Sequence, residues 1–147
     1  IEPFLDAGLG VFCLVRTSNP SGDAIQKQEL QDGRTVAQSI AALVSKLGEK
    51  YIGDSGWSAL GVVVGATKPQ EAIELRRFME HQMFLMPGIG SQGAPVGDMQ
   101  QCFADGHGGL VSASRSIIYP EVSGHWQDAI ASAARAIVAD IHVGDSV

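Results

Sequence analysis

Cysteine is scarce and unclustered: Cys13 and Cys102 are the two in 147 residues, and neither stands in a CxxC spacing or beside histidines. A disulfide framework and a zinc module are thereby excluded, and the apolar neighbours of both predict buried, reduced thiols. Aromatic residues make up 6% of the chain, and no apolar run reaches the ~18 residues that a membrane span needs. No charged, then apolar, then small-residue leader is present, so a soluble, cytoplasmic protein is the expectation. The ten basic residues are outnumbered by sixteen acidic ones, giving a formal charge of -6, and they are scattered rather than gathered in a stripe. That removes the electrostatic footprint of a nucleic-acid binder. A phosphate ligand survives the same argument, because one arginine and a few backbone N–H groups suffice to hold it locally. What is present is apolar material, 45% of the chain, enough for one core. The opening Ile1-Glu2-Pro3-Phe4 lacks an initiator methionine, from which a missing upstream segment is expected.

Four rounds of strand then helix run along the sequence. Val11 to Val15 is a buried strand ending in the polar cluster Arg16 to Pro20. Val36, Ile40, Val44 and Leu47 follow at helical spacing, with Thr35 and Gln38 placed as a capping box and Gly48 as a stop. Leu60 to Ala66 is the second strand, and Thr67 reads as the cap of a helix with Pro69 in its first turn. The third round is Met83 to Met86, a loop from Pro87 to Ala94, and a short helix from about Pro95 with Val96, Met99 and Phe103 on one face. The fourth is Gly109 to Ala113, a turn at Ser114-Arg115-Ser116, and an alanine-rich helix with Trp126, Ile130, Ile137 and Ile141 in register. Apolar strands alternating with amphipathic helices predict a parallel α/β sheet, either doubly wound or a TIM (β/α)8 barrel. Units of about 25 to 45 residues favour the barrel, of which four would be half.

The segment Pro87-Gly88-Ile89-Gly90-Ser91-Gln92-Gly93 joins the third strand to the third helix. Its glycines admit close backbone approach, and unpaired N–H groups at a helix start suit a phosphate; a plain strand-to-helix turn is the alternative. Ser114-Arg115 falls at the end of the next strand, on the same edge, where the guanidinium can fork onto the same phosphate. Barrels frequently build a phosphate site from the loops after their last two strands. For Arg115 alone, a surface ion pair would be the simpler explanation.

Taken together, VFCLVRTSNP at 11–20, GVVVGAT at 61–67, FLMPGIGSQG at 84–93 and LVSASRSIIY at 110–119 resemble the orotidine 5'-phosphate decarboxylases, in particular their longer bacterial branch. They resemble, in order, strands five to eight of that family's barrel, so residues 1–147 would form the C-terminal half of one barrel domain. The resemblance implies that Gln92 and Arg115 hold the 5'-phosphate, with amides around Gly93 and Ser114 completing the cradle, and that Ser18 bonds the pyrimidine edge. It implies loss of carbon dioxide from orotidine 5'-phosphate to give UMP in pyrimidine biosynthesis, through a carbanion that a lysine ammonium stabilises and protonates. No metal or organic cofactor is implied, and a homodimer is.

The family's Asp-x-Lys-x-x-Asp motif is absent from these residues. The segment alone is therefore expected to be inactive, and to need the N-terminal half of the barrel. Lys27, Lys46, Lys50 and Lys68, the four lysines, read as solvated surface groups. His107 between two glycines reads as solvent-exposed, and His81, His125 and His142 have no carboxylate at metal-ligand spacing. Asp54 to Trp57 reads as a turn with a tryptophan anchor, and Arg16 as half of a structural ion pair. Two other readings remain: a different phosphate-binding barrel lyase or synthase, which would lack the pyrimidine contact of Ser18, and a non-catalytic half barrel that binds a phosphate without turnover.

Overall fold

A computed structural model of the chain describes residues 1–88, 101–103, 107–120 and 125–142. Four strands, β1 (Val11–Arg16), β2 (Ser58–Val64), β3 (Gln82–Pro87) and β4 (Gly109–Ser112), form one sheet in the order β1-β2-β3-β4. Every neighbouring pair is parallel. Spatial order thus equals chain order, and this separates the two architectures: a doubly wound sheet reverses its winding at a switch point, whereas a barrel wall never does. The four strands are successive units of a TIM-barrel wall.

Among the described residues six helices accompany them: α1 (Glu2–Asp6), α2 (Asp23–Gln26), α3 (Val36–Gly48), α4 (Pro69–Arg76), α5 (Arg115–Ile118) and α6 (Trp126–His142). The short α1, α2 and α5 carry too few apolar residues to register as periodic patterns. Residues 114–116, expected as a turn, belong to the start of the one-turn α5. In α3 the capping box forms as the sequence predicts, with Gln38 N donating to Thr35 Oγ1 at 3.2 Å and Thr35 N donating to Gln38 Oε1 at 2.9 Å. α3 ends at Gly48, as the sequence predicts, but without a left-handed cap: its φ is -72° and the chain runs on into a 3-10 turn at Glu49–Tyr51. Glycine is needed there for space instead, since a Cβ would stand 2.7 Å from Gln82 Nε2 and 2.9 Å from Ser58 Oγ.

Alternation along the strands assigns the faces. Leu60, Val62, Val64, Phe84 and Met86 are fully buried and share one core with Ala37, Ala41 and Val44 of α3 and Ala72 and Leu75 of α4. On the opposite face Phe12, Leu14 and Leu110 are 42%, 51% and 49% exposed. Helices cover one face only, as on a barrel wall whose inner face is filled by side chains from all its strands. Cys102 is buried in the core while Cys13, expected to be buried, is half-buried; both are free thiols.

The N-terminal edge of the sheet is fastened by Arg76. Its guanidinium donates to the carbonyls of Gln82 at 2.7 Å, Cys102 at 2.8 Å, Gly108 at 2.8 Å and Met79 at 3.0 Å, and stacks 3.6 Å from the Phe84 ring. Burial pulls its pKa down to about 10, so it remains charged at neutral pH. Trp57 packs against Gly108, where no Cβ would fit, which makes it the expected anchor. Ile137 of α6 packs on the core, but Trp126, expected in the same register, is 61% exposed. The side chain of Ile141, and the segment with Pro95, Val96 and Met99, lie outside the described residues.

Candidate functional site

Because the four strands are parallel and in register, their C-terminal ends converge on one edge. Arg16 is level with Val64, and Pro87 with Ser112. The loops leaving this edge carry Thr17 and Ser18 after β1, Gly65, Ala66 and Thr67 after β2, Gly88 after β3, and Ser114 and Arg115 after β4. The edge is tied laterally by Gly65 N donating to Arg16 O at 2.8 Å and Ala66 N donating to Pro87 O at 2.9 Å. Strand spacing puts the ends of β1 and β4 about 14 Å apart along the curved sheet. In barrels this is the edge where ligands bind.

Two arginines at the edge have opposite circumstances. Arg16, fully buried, donates from Nε to Glu71 at 2.6 Å, from Nη1 to Gln26 Oε1 at 2.9 Å, and from Nη2 to Asp23. Burial disfavours its charge, but the Glu71 and Asp23 carboxylates more than offset this and hold its pKa above the ordinary value. The arginine in turn holds Asp23 down to about 2. Burial pushes Glu71 up, yet Arg16 and Lys27 together keep it below its usual range. Arg16 is the structural ion pair that the sequence predicts. Arg115, by contrast, is exposed and pairs with no carboxylate among the described residues, so the surface ion pair that would explain it away is not found there.

Lys27 and Lys68 are not the plain solvated groups expected from sequence. Lys27 Nζ lies 3.1 Å from Glu71 and 3.5 Å from Asp23, and Lys68 Nζ lies 3.2 Å from Asp23. Both extend the Arg16 cluster, which binds α2 and the loop after β1 to the start of α4. Lys50 pairs with Glu2 at 2.6 Å, far from the strand ends. A cavity of about 200 Å³ beside the cluster, lined by Lys27, Thr35, Gln38, Glu71 and Glu74, opens between α3 and α4 rather than onto that edge.

Ser18 is set by its neighbours. Gln26 Oε1 accepts the backbone N–H of Thr17 at 3.1 Å and its hydroxyl at 3.0 Å. Thr67 Oγ1 donates to Ser18 O at 2.7 Å. Thr67 therefore does not cap α4, whose N-cap is Lys68 without any side-chain hydrogen bond, although Pro69 does occupy the first turn. The Ser18 hydroxyl itself has no hydrogen-bond partner among the described residues. Sequence reasoning gave Gln26 and Gly65 no role here and read Thr67 as a helix cap; for Thr67 the available signal was a polar residue directly after a strand, where ligands and loop anchors concentrate. Of the sequence-expected site residues, Ser18, Ser114 and Arg115 share the C-terminal edge, while Gln92 and Gly93 lie outside the described residues. His107 is exposed and precedes β4, at the opposite edge. No group of three or more metal-ligating side chains occurs among the described residues.

No family model matches the chain. It is 37% identical to the orotidine 5'-phosphate decarboxylase of Rhodopirellula baltica, with 90% of this chain aligned to 48% of that protein. Among solved structures it is similar to the UMP synthase of Leishmania donovani, at TM-score 0.71 and 26% identity over 91% of this chain and 28% of that one. The OMP decarboxylase of Leishmania donovani shares the fold, at TM-score 0.73 and 24% identity over 97% of this chain and 52% of that one. The chain spans about half the length of the curated relatives it matches.

Proposed function

The chain belongs to the orotidine 5'-phosphate decarboxylase family, and from that premise we propose that it supplies the substrate-gripping C-terminal half of a barrel that converts orotidine 5'-phosphate to UMP and carbon dioxide. The observation that carries the reading is the contrast at the strand ends: among the described residues Arg115 is exposed and without a carboxylate partner after β4, and Ser18 is held by its main chain with its hydroxyl open after β1. A nucleotide phosphate would meet the first and its base edge the second. Gln92, Gly93 and the Ser114 and Arg115 amides would complete the phosphate cradle.

In this role the residues act on the barrier indirectly. Holding the phosphate and the base fixes the ring against the catalytic groups, so that binding energy from remote parts of the substrate is used at the reacting carbon. There the bond to the carboxylate breaks, its electron pair stays on the ring carbon, and a proton from the family's lysine replaces carbon dioxide. That lysine and its aspartates belong to the Asp-x-Lys-x-x-Asp motif, which this chain lacks. The exposed apolar face bearing Phe12, Leu14 and Leu110 supports the need for the other half, whose strands would pair with β1 and β4 and fill the interior. The same resemblance supports a cytoplasmic homodimer; the molar mass of the full-length polypeptide, measured by light scattering, tests the dimer.

The deciding experiment is turnover of orotidine 5'-phosphate, followed by ultraviolet absorbance, by the full-length polypeptide that contains this chain. Turnover that falls at least tenfold in Arg115→Ala and in Gln92→Ala is expected. A folded protein without turnover would refute the assignment and leave a phosphate-binding barrel of another substrate.

A further inference from the structure

We propose that Thr67 is a positioning residue for base recognition: its hydroxyl fixes the main chain of Ser18 across the gap between two strand ends, in the space that Gly65 leaves open. The inference rests on the reading of Ser18 as the pyrimidine contact.

Three observations converge on it. The Thr67 hydroxyl is used up on the carbonyl of Ser18, a residue 49 positions away, at 2.7 Å. A Cβ on Gly65 would stand 2.5 Å from both the N and the Cα of Ser18, so the chain after β2 can abut Ser18 only with glycine there. On the other side Gln26 Oε1 takes the N–H of Thr17. The backbone of Ser18 is therefore gripped before and after its Cα, which is what a hydroxyl that must meet one edge of a planar ring requires: a contact loose by about an ångström loses most of its orienting value. Thr67 touches no ligand in this arrangement; it decides where Ser18 stands.

The test uses the full-length polypeptide and two ligands that separate base from phosphate, UMP and ribose 5-phosphate, with affinities measured by calorimetry. Ser18→Ala is the reference, Thr67→Val removes the hydroxyl at nearly constant shape, and Thr67→Ser restores it. Loss of one neutral hydrogen bond predicts a roughly three- to tenfold weaker UMP affinity in Ser18→Ala and Thr67→Val, with Thr67→Ser near the parent. Ribose 5-phosphate affinity should stay within about twofold throughout, because its binding does not use the base contact. Equal weakening of both ligands in Thr67→Val would overturn the proposal in favour of a general structural role. If Ser18→Ala weakens UMP and Thr67→Val does not, the positioning role fails while the base contact stands. If Ser18→Ala changes nothing, the base contact itself is wrong and the proposal falls with it. Should Thr67→Val not fold, Gly65→Ala reads the same step and should show the same selective loss of UMP.

Discussion

Replacing Arg76 by methionine keeps the length and apolar character of the stem but removes the guanidinium donors from the N-terminal edge of the sheet. Four backbone carbonyls, from three separate segments, lose the guanidinium: Met79 and Gln82 around the start of β3, Cys102, and Gly108 before β4, which keeps the Phe84 N–H at 2.9 Å. A hydrogen bond from a charged donor contributes about 1.5–3 kcal/mol net, so four independent bonds would total well above 6 kcal/mol. They are not independent, since one buried charge serves all four and its desolvation cost disappears with it. The expected loss is therefore about 3–5 kcal/mol, the range for removing one member of a buried charged network. At ~2–4 °C per kcal/mol for a protein of this size class, the melting temperature should fall on the order of 10 °C. Urea unfolding of the full-length polypeptide, followed by circular dichroism, measures it. Arg76→Lys, with its charge kept but no planar fork, should lie between parent and methionine variant. Turnover per folded molecule should be unchanged in both, because Arg76 acts at the edge opposite the strand ends. A loss below about 1 kcal/mol in Arg76→Met would refute the account of this arginine as the fastening of β3, β4 and α4.

Acid should loosen the loop that carries Ser18. Asp23 is held to about 2 by Arg16, a depressed carboxylate, so its stabilising contribution is complete above its ordinary value of 3.8 and is lost as pH falls towards 2. Glu71 shifts in the same direction, and proteolysis between β1 and α2 should therefore rise below about pH 4; a rate independent of pH in that range would contradict the network. Thr35→Ala breaks the capping box of α3 and should cost about 1 kcal/mol in the same urea assay, whereas Thr35→Ser should cost little. Gly48→Ala should destabilise by roughly 1–3 kcal/mol through overpacking against Gln82 and Ser58, and a neutral result would show that these side chains can move aside. Dialysis against a chelator should leave turnover unchanged, and activity restored only by a divalent metal would overturn the metal-free mechanism.

Much of this protein was legible before any coordinates. The four strands fall where short apolar runs meet polar clusters, and the cap at Thr35 follows from a serviceable local rule, because both are decided by nearest neighbours along the chain. Arg16 as an ion pair was legible for a similar reason: a charge closing an apolar strand must find a partner. The misreadings have one cause in common. Thr67 as a helix cap and Lys68 as a solvated group are both sound by local rules, and each was overruled by a group distant in sequence: Ser18 and Asp23.

By itself the sequence determined the alternation of strand and helix, the apolar character of the strands and the positions of polar residues directly after them, since these depend on periodicity and composition. Only the tertiary structure decided that the strands lie in chain order, and hence that the sheet is a barrel wall rather than doubly wound, because strand pairing is a choice among non-local partners that local pattern leaves open. It also decided which carboxylates meet Arg16 and whether any meets Arg115. Arg16 closes β1 and Arg115 opens α5 after β4; folding brings Glu71 to the first and no carboxylate of the described residues to the second.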